Sequence, residues 1–291
     1  MSKRQRDNTN DLAKLRETES AQDRRAIALD ILRKSRDLEI VRAALMVLAE
    51  EHDPELRPVL HEKYEWCEAS PSKRDSSGFI RADIVRALHP IAQTEDDALL
   101  RRAMTTYQMQ GLYELCAELR VAALRAMNDL DPETAALFAA RFFADPLTSF
   151  SGEPALTAIR VLAAQQRLEA VFALASWPGG NAQVVGEALR NMVELRADLV
   201  DLLVATHLDS DDEQVTLGLF DLLLGHRERA RWYDLILRYL VTSDDVDIYG
   251  IIVTSIVASR DQHLIEALRS LATDERDPEK SRLLEHALEL A

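Results

Sequence analysis

Four arginines recur at the same place in a five-residue pattern, and they are the residues whose type and spacing most suggest chemistry. They are Arg86, Arg125, Arg160 and Arg190. A guanidinium forks onto carboxylates or phosphates and also stacks on aromatic planes. On successive helices, four of them would form a row suited to an anionic partner. Phe220 holds the matching place in the next copy and would end the row with an apolar contact. The competing expectation is local pairing. Arg190 has Glu187 and Glu194 at i−3 and i+4, and Arg125 has Asp129 at i+4.

Other chemistries find less support. The histidines, His52, His61, His89, His207, His226, His263 and His286, form no HExxH and no i, i+4 pair, so no metal site is expected. Most of them are expected to be solvated or at helix ends. Asp209, Asp211, Asp212 and Glu213 resemble a calcium loop only superficially. The central glycine and the closing bidentate glutamate are missing, and N-capping explains the cluster better. Cys67 and Cys116 form no CxxC and read as reduced, partly buried thiols. There is no nucleophile elbow, P-loop or GxGxxG. No catalytic residue and no cofactor is expected. Trp66, Trp177 and Trp232 fall near helix ends and would serve as anchors for a partner if exposed.

The charge balance narrows the partners. Thirty-five basic residues against fifty acidic ones give a net charge of −15, a field that repels nucleic acid and anionic membranes at long range. The polar segment 1–11 carries Lys3, Arg4 and Arg6, lacks apolar periodicity and reads as a mobile tail. No signal peptide and no membrane-spanning run is visible, so a reducing, cytoplasmic setting is the expectation.

The elements that must carry these residues are helices. Only nine glycines and nine prolines occur in 291 residues, too little turn punctuation for an all-β chain. The pattern Ala123-Leu124-Arg125-Ala126-Met127 has counterparts starting at positions 44, 84, 158, 188, 218, 252 and 284. The steps of 30 to 40 residues match two helices and two turns. Apolar residues at i, i+1, i+3 and i+4 form a buried stripe, and the third position faces away from it. Second helices are expected over Glu133–Ala144, Glu169–Ser176, Arg196–Thr206, Trp232–Val241 and Gln262–Ala272. Asp131-Pro132, Trp177–Asn181, Ser243–Asp245 and Asp274–Pro278 mark boundaries. Glu68–Ser77 and Pro146–Glu153 read as surface loops. The terminal stretch Leu283–Ala291 is apolar for a free cap. It is expected to pack on a preceding helix or to form a dimer contact.

Asp37 with Val41-Arg42-Ala43-Ala44-Leu45, then Ile80-Arg81-Ala82, then Leu119-Arg120-Val121-Ala122-Ala123-Leu124, resemble the HEAT-repeat family. This includes the short bacterial repeats similar to those of phycobilisome lyases. The resemblance implies a right-handed α-solenoid of about eight helix-pair repeats over residues 12–291, as a single domain. It implies that Asp37 opens a second helix and that Arg42, Arg81 and Arg120 bond between repeats. The motif is explicit only in the first three units. Such a fold most often implies a non-catalytic scaffold or adaptor. Its concave face would hold another protein, one with acidic or phosphorylated residues suiting the arginine row. The alternative is an enzyme on the same scaffold, similar to the phycobilin lyases or to the alkylpurine-DNA glycosylases, the latter disfavoured by the charge of −15.

Overall fold

The structure, a computed structural model, describes residues 12–143, 145, 151–177 and 179–291. The expected tail 1–11 and most of the expected loop 146–153 lie outside them. The protein is all-α apart from one small hairpin. Its helices are α1 (residues 12–17), α2 (Ala21–Lys34), α3 (Leu38–Ala49), α4 (Arg57–Glu68), α5 (Pro71–Arg74), α6 (Phe79–Leu88) and α7 (Asp97–Met104). The strands β1 (Met109–Gln110) and β2 (Tyr113–Glu114) follow. Then come α8 (Ala117–Leu130), α9 (Pro132–Phe143), α10 (Ala155–Ala164), α11 (Leu168–Ala175) and α12 (Ala182–Arg190). The last are α13 (Ala197–His207), α14 (Glu213–Gly225), α15 (Tyr233–Thr242), α16 (Val246–Ser259), α17 (Gln262–Asp274) and α18 (Pro278–Leu288).

Aspartates start many of these helices. The Asp37 carboxylate accepts from the amides of Glu39 and Ile40 at the head of α3. Asp212, Asp245, Asp261 and Asp277 do the same for α14, α16, α17 and α18. Each satisfies amides that have no partner inside the helix. The acidic runs at 209–213 and 243–245 therefore contain caps, as their spacing predicts.

The chain divides into two compact units, Met1–Val161 and Leu162–Ala291. In the first, α3 packs on α6 and α6 on α8, while α2, α4, α7 and α9 flank that set. In the second, α12 packs on α14, α14 on α16 and α16 on α18, with α11, α13 and α17 alongside. In the second unit each of α12, α14 and α16 thus meets the helix two places on. The contact surfaces are the apolar stripes. Ile40, Val41, Ala44, Leu45 and Leu48 of α3 are buried, as are Leu119, Ala123, Leu124 and Met127 of α8. Full burial of one such leucine or isoleucine contributes about 1.5–3 kcal/mol.

One contact fixes the register of the second unit. A Cβ on Gly186 would stand 2.2 Å from the Gln214 carbonyl oxygen, and one on Gly218 would stand 2.4 Å from the Gly186 carbonyl oxygen. Helices α12 and α14 therefore touch backbone to backbone. The terminal α18 packs on α16 and α17, burying Leu284 and Ala287, while Leu290 stays exposed. No helix of the described residues is long and apolar enough to cross a membrane.

Candidate functional site

Two buried arginines organise the surface of the first unit. Arg81 and Arg120 are both almost fully enclosed. Each is answered by an acid six residues earlier. The Asp75 carboxylate accepts from Arg81 Nε (2.8 Å) and from the amides of Ile80 (3.0 Å) and Arg81 (3.1 Å). Arg81 Nη2 also reaches Gln108 Oε1 (3.3 Å). The Glu114 carboxylate accepts from Arg120 Nη2 (2.8 Å) and from the Cys116 amide (2.7 Å). Arg120 Nη1 donates to the Thr106 carbonyl (3.0 Å), and its guanidinium lies 4.1 Å from the Tyr107 ring centre. Burial alone would weaken the Arg81 charge, but the hydrogen bond and field of Asp75 outweigh it and raise its pKa. Arg42 makes the expected bond to a neighbouring motif helix, with Asp83 Oδ2 on α6 at 2.6 Å, but unlike Arg81 and Arg120 it is exposed, and it lies 5.2 Å from the Phe79 ring centre. The buried place it would need in α3 is filled by Val41.

These pairs hold a hairpin and a groove. Gln108 donates through Nε2 to the Ser76 carbonyl (2.6 Å), tying the approach to β1 to the loop before α6. Strand β1 pairs antiparallel with β2, Met109 opposite Glu114 and Gln110 opposite Tyr113. The two-residue turn is Gly111-Leu112, with Gly111 at φ +63°, a left-handed value that glycine adopts without strain. Leu112 is 91 % exposed at the tip, and Met109 and Tyr113 are exposed beside it. On α3 and α6, Leu38, Met46 (69 %) and Phe79 are exposed apolar residues around a groove of about 480 Å³. Arg16, Glu39, Arg42 and Ser76 are among the polar residues of its lining. Adjacent exposed apolar residues rimmed by charge are what interaction sites look like.

The expected arginine row does not form as a row of like charges. Arg86 bonds Asp83 (2.6 Å) on its own helix and Glu118 on α8. With Arg42 on Asp83, this gives an alternating ladder, Arg42–Asp83–Arg86–Glu118, along α3, α6 and α8. Arg125 is exposed and has no carboxylate partner among the described residues. Its expected partner Asp129 is taken by His89 at 2.7 Å. Arg160 is exposed on α10 and interacts with a neighbouring group. In the second unit, Arg190 bonds Asp221 Oδ2 (2.7 Å) and lies 3.6 Å from Glu187, not against Glu194. Phe220 is corrected outright. It is only 2 % exposed, and its ring centre lies 4.5 Å from that of Tyr239 in the core. The Gly186–Gly218 contact sets Arg190 opposite Asp221, one residue beyond the place that sequence spacing assigned to Phe220.

The other candidates have structural settings. Cys67 and Cys116 are buried, and burial pushes their thiols up to about 12 and about 11. That is the opposite of what a nucleophile needs. His207 and His226 stand at helix ends, as expected, and are buried there, with Nε2 against the carbonyls of Ala175 (2.6 Å) and Leu195 (2.8 Å). Trp232 is buried, Trp177 exposed and Trp66 half-buried. Among the described residues, no group of three or more His, Cys, Asp or Glu side chains is placed to hold a metal ion.

The groove and the hairpin were not assigned from sequence. One signal for the groove was present. Met46 occupies the third, outward position of its motif copy, the place that Arg86 and Arg125 hold in later copies. No protein-family model matches this sequence, and no curated protein and no solved structure matches it.

Proposed function

We propose that this protein is a non-catalytic binding scaffold or adaptor built from HEAT-like helical repeats. Its partner is another protein, received in the groove on α3 and α6 beside the hairpin. The repeat reading is supported by contacts between successive motif helices, α3 on α6 on α8 in the first unit and α12 on α14 on α16 on α18 in the second, which is how stacked repeats share a core. The observation that carries the binding reading is the exposure of Leu38, Met46 and Phe79 together around one groove on α3 and α6. An apolar anchor from a partner segment would fill the groove. Carboxylates or phosphates flanking that anchor suit Arg16 and Arg125, which have no acidic partner among the described residues. Dimerisation through α18, the other expected use of an apolar surface, has only Leu290 to support it.

The test is affinity capture from the native source with Met46→Glu and Phe79→Ser combined, against the wild type. Both side chains point outward, so far-UV circular dichroism should not change. Loss of the captured partner supports the groove as its site. An unchanged partner set sinks the proposal. Arg125→Glu, alone and with Arg160→Glu, reports whether the remaining exposed arginines contribute; a weaker capture at higher salt is the expected signature.

A further inference from the structure

A second site lies between the end of α2 and the side of α4, and it is basic in an acidic protein. A cavity of about 150 Å³ is lined by Arg33, Lys34, Arg36, Lys63 and Trp66, with Glu62 as the one acid in its wall. No residue lines both this cavity and the groove on α3 and α6.

Helix electrostatics explains part of the cluster. Arg33 and Lys34 stand in the last turn of α2, where cations complement the helix dipole, and Lys34 is paired with Asp30 at 2.5 Å. Arg36 lies beyond the cap residue Ser35 and is outside that explanation. Lys63 comes from a different helix and is only 6 % exposed. It donates one hydrogen bond, to the Ser35 carbonyl (2.9 Å), and its ammonium lies 4.4 Å from the Trp66 ring centre. Arg74 lies 4.6 Å from the same ring centre. An ammonium has three donors. A buried one held by a single carbonyl lacks the counter-charge that buried ions otherwise find. Burial draws the Lys63 pKa below its ordinary value, and nearby Arg36 adds to that fall. Arg33 and Arg36 have no carboxylate within ion-pair distance among the described residues, although the chain carries fifty acids. Elsewhere in the same unit Arg25, Arg42, Arg57, Arg81, Arg86, Arg101, Arg102 and Arg120 are all matched to acids.

We infer that this cavity is an anion site for a phosphate group, held by Lys63, Arg33 and Arg36 against the wall formed by Trp66. Its size admits the phosphate group and not a large body behind it. The ligand is therefore a small phosphate compound, or a phosphorylated side chain presented by a partner. Trp66 already carries two cations close to its ring, so it serves as a wall and a reporter and not as a stacking platform.

Calorimetric titration of the full chain with inorganic phosphate, at ionic strength held constant with chloride, tests the site. The expected result is saturable binding of one phosphate with a Kd of about 1 mM or tighter. Arg36→Glu and Arg33→Glu, both at exposed positions, should each weaken it at least about tenfold. Lys63→Met should abolish it. If that buried change unfolds the protein, the two exposed variants decide alone. Repeating the titration with a phosphoserine peptide and its unphosphorylated form separates the sources. Tighter binding of the phosphopeptide than of phosphate supports a partner's side chain, and equal binding supports a free phosphate compound. Absence of saturable phosphate binding overturns the inference, as does binding that the Arg33 and Arg36 variants leave unchanged.

Discussion

Replacing Gly186 with alanine should destabilise the second unit, although alanine is the better helix former. The added Cβ would stand 2.2 Å from the Gln214 carbonyl oxygen and 2.8 Å from its carbon. That is about 1 Å inside ordinary contact for such atoms. Both neighbours are backbone, so no side chain can rotate away, and α12 must retreat from α14. A retreat of that size forfeits a quarter to a half of the dispersion attraction of each pair it opens. Val185 and Leu189 of α12 and Val215 and Leu222 of α14 are all buried. Overpacking of this kind typically costs about 1–3 kcal/mol, and a backbone clash belongs at the top of that range. Removing a helical glycine returns about 1 kcal/mol, leaving a net loss of about 2 kcal/mol. The assay is urea denaturation followed by far-UV circular dichroism. A slope near 2 kcal/mol/M turns the loss into a midpoint about 1 M lower. Gly250→Ala is the control. Its Cβ meets only the tip of Leu283, at 3.2 Å, which can shift, so stability should hold or rise by up to about 1 kcal/mol. If Gly186→Ala is as stable as Gly250→Ala, the backbone contact between α12 and α14 is wrong.

Arg81→Met leaves Asp75 buried and unpaired, and should lower stability by about 3–5 kcal/mol; Arg81→Met with Asp75→Asn should recover part of that loss, measured by the same denaturation. Asp261 is held down to about 2, because hydrogen bonds from Tyr233 and Arg229 outweigh its burial. Its folded pKa is below the unfolded value, so its contribution is complete above about pH 4 and fades as the pH falls toward about 2; Asp261→Asn should flatten the stability profile over that window, and an unchanged profile refutes the assignment. Cys67 and Cys116, buried with raised pKa values, should resist a thiol reagent at neutral pH in the native protein and react promptly in denaturant. Fast labelling of either thiol in the folded state contradicts its placement.

Much of the helical arrangement was legible because apolar stripes obey a fixed period. The second helix expected over Glu169–Ser176 is observed over Leu168–Ala175, and the one expected over Gln262–Ala272 over Gln262–Asp274. Side-chain environment was less legible. Arg81 and Arg86 stand on one helix five residues apart, yet one is buried on Asp75 and the other exposed on Glu118. Only the position of the helix against its neighbours separates them. The Phe220 error had a physical source. Matching apolar residues by type aligned Gly218 with Ala188, whereas contact between two residues without side chains aligns it with Gly186. The hairpin was invisible because each strand is two residues long and its turn, Gly111-Leu112, lacks the usual Asn-Gly or Asp-Gly signal. What marks it is the acid six residues before a buried arginine, a spacing recognisable only once both arginines are seen inside.

The hairpin is anchored where it joins the body. Glu114 is held by Arg120, Gln108 by Ser76 and Arg81, and the Leu115 amide donates to the Gln108 carbonyl at 2.9 Å. Leu112 therefore projects from a frame that is already ordered before any partner arrives. Immobilising a flexible side chain or loop on association costs about 0.5–1.5 kcal/mol for each rotamer-rich group, and this protein has met most of that cost in folding. On the proposed binding reading, the ordering penalty then falls on the partner. A stiff partner should dock on this finger with little loss of entropy. A floppy one should bind more weakly through the same contacts, with the difference carried mainly by how fast it leaves.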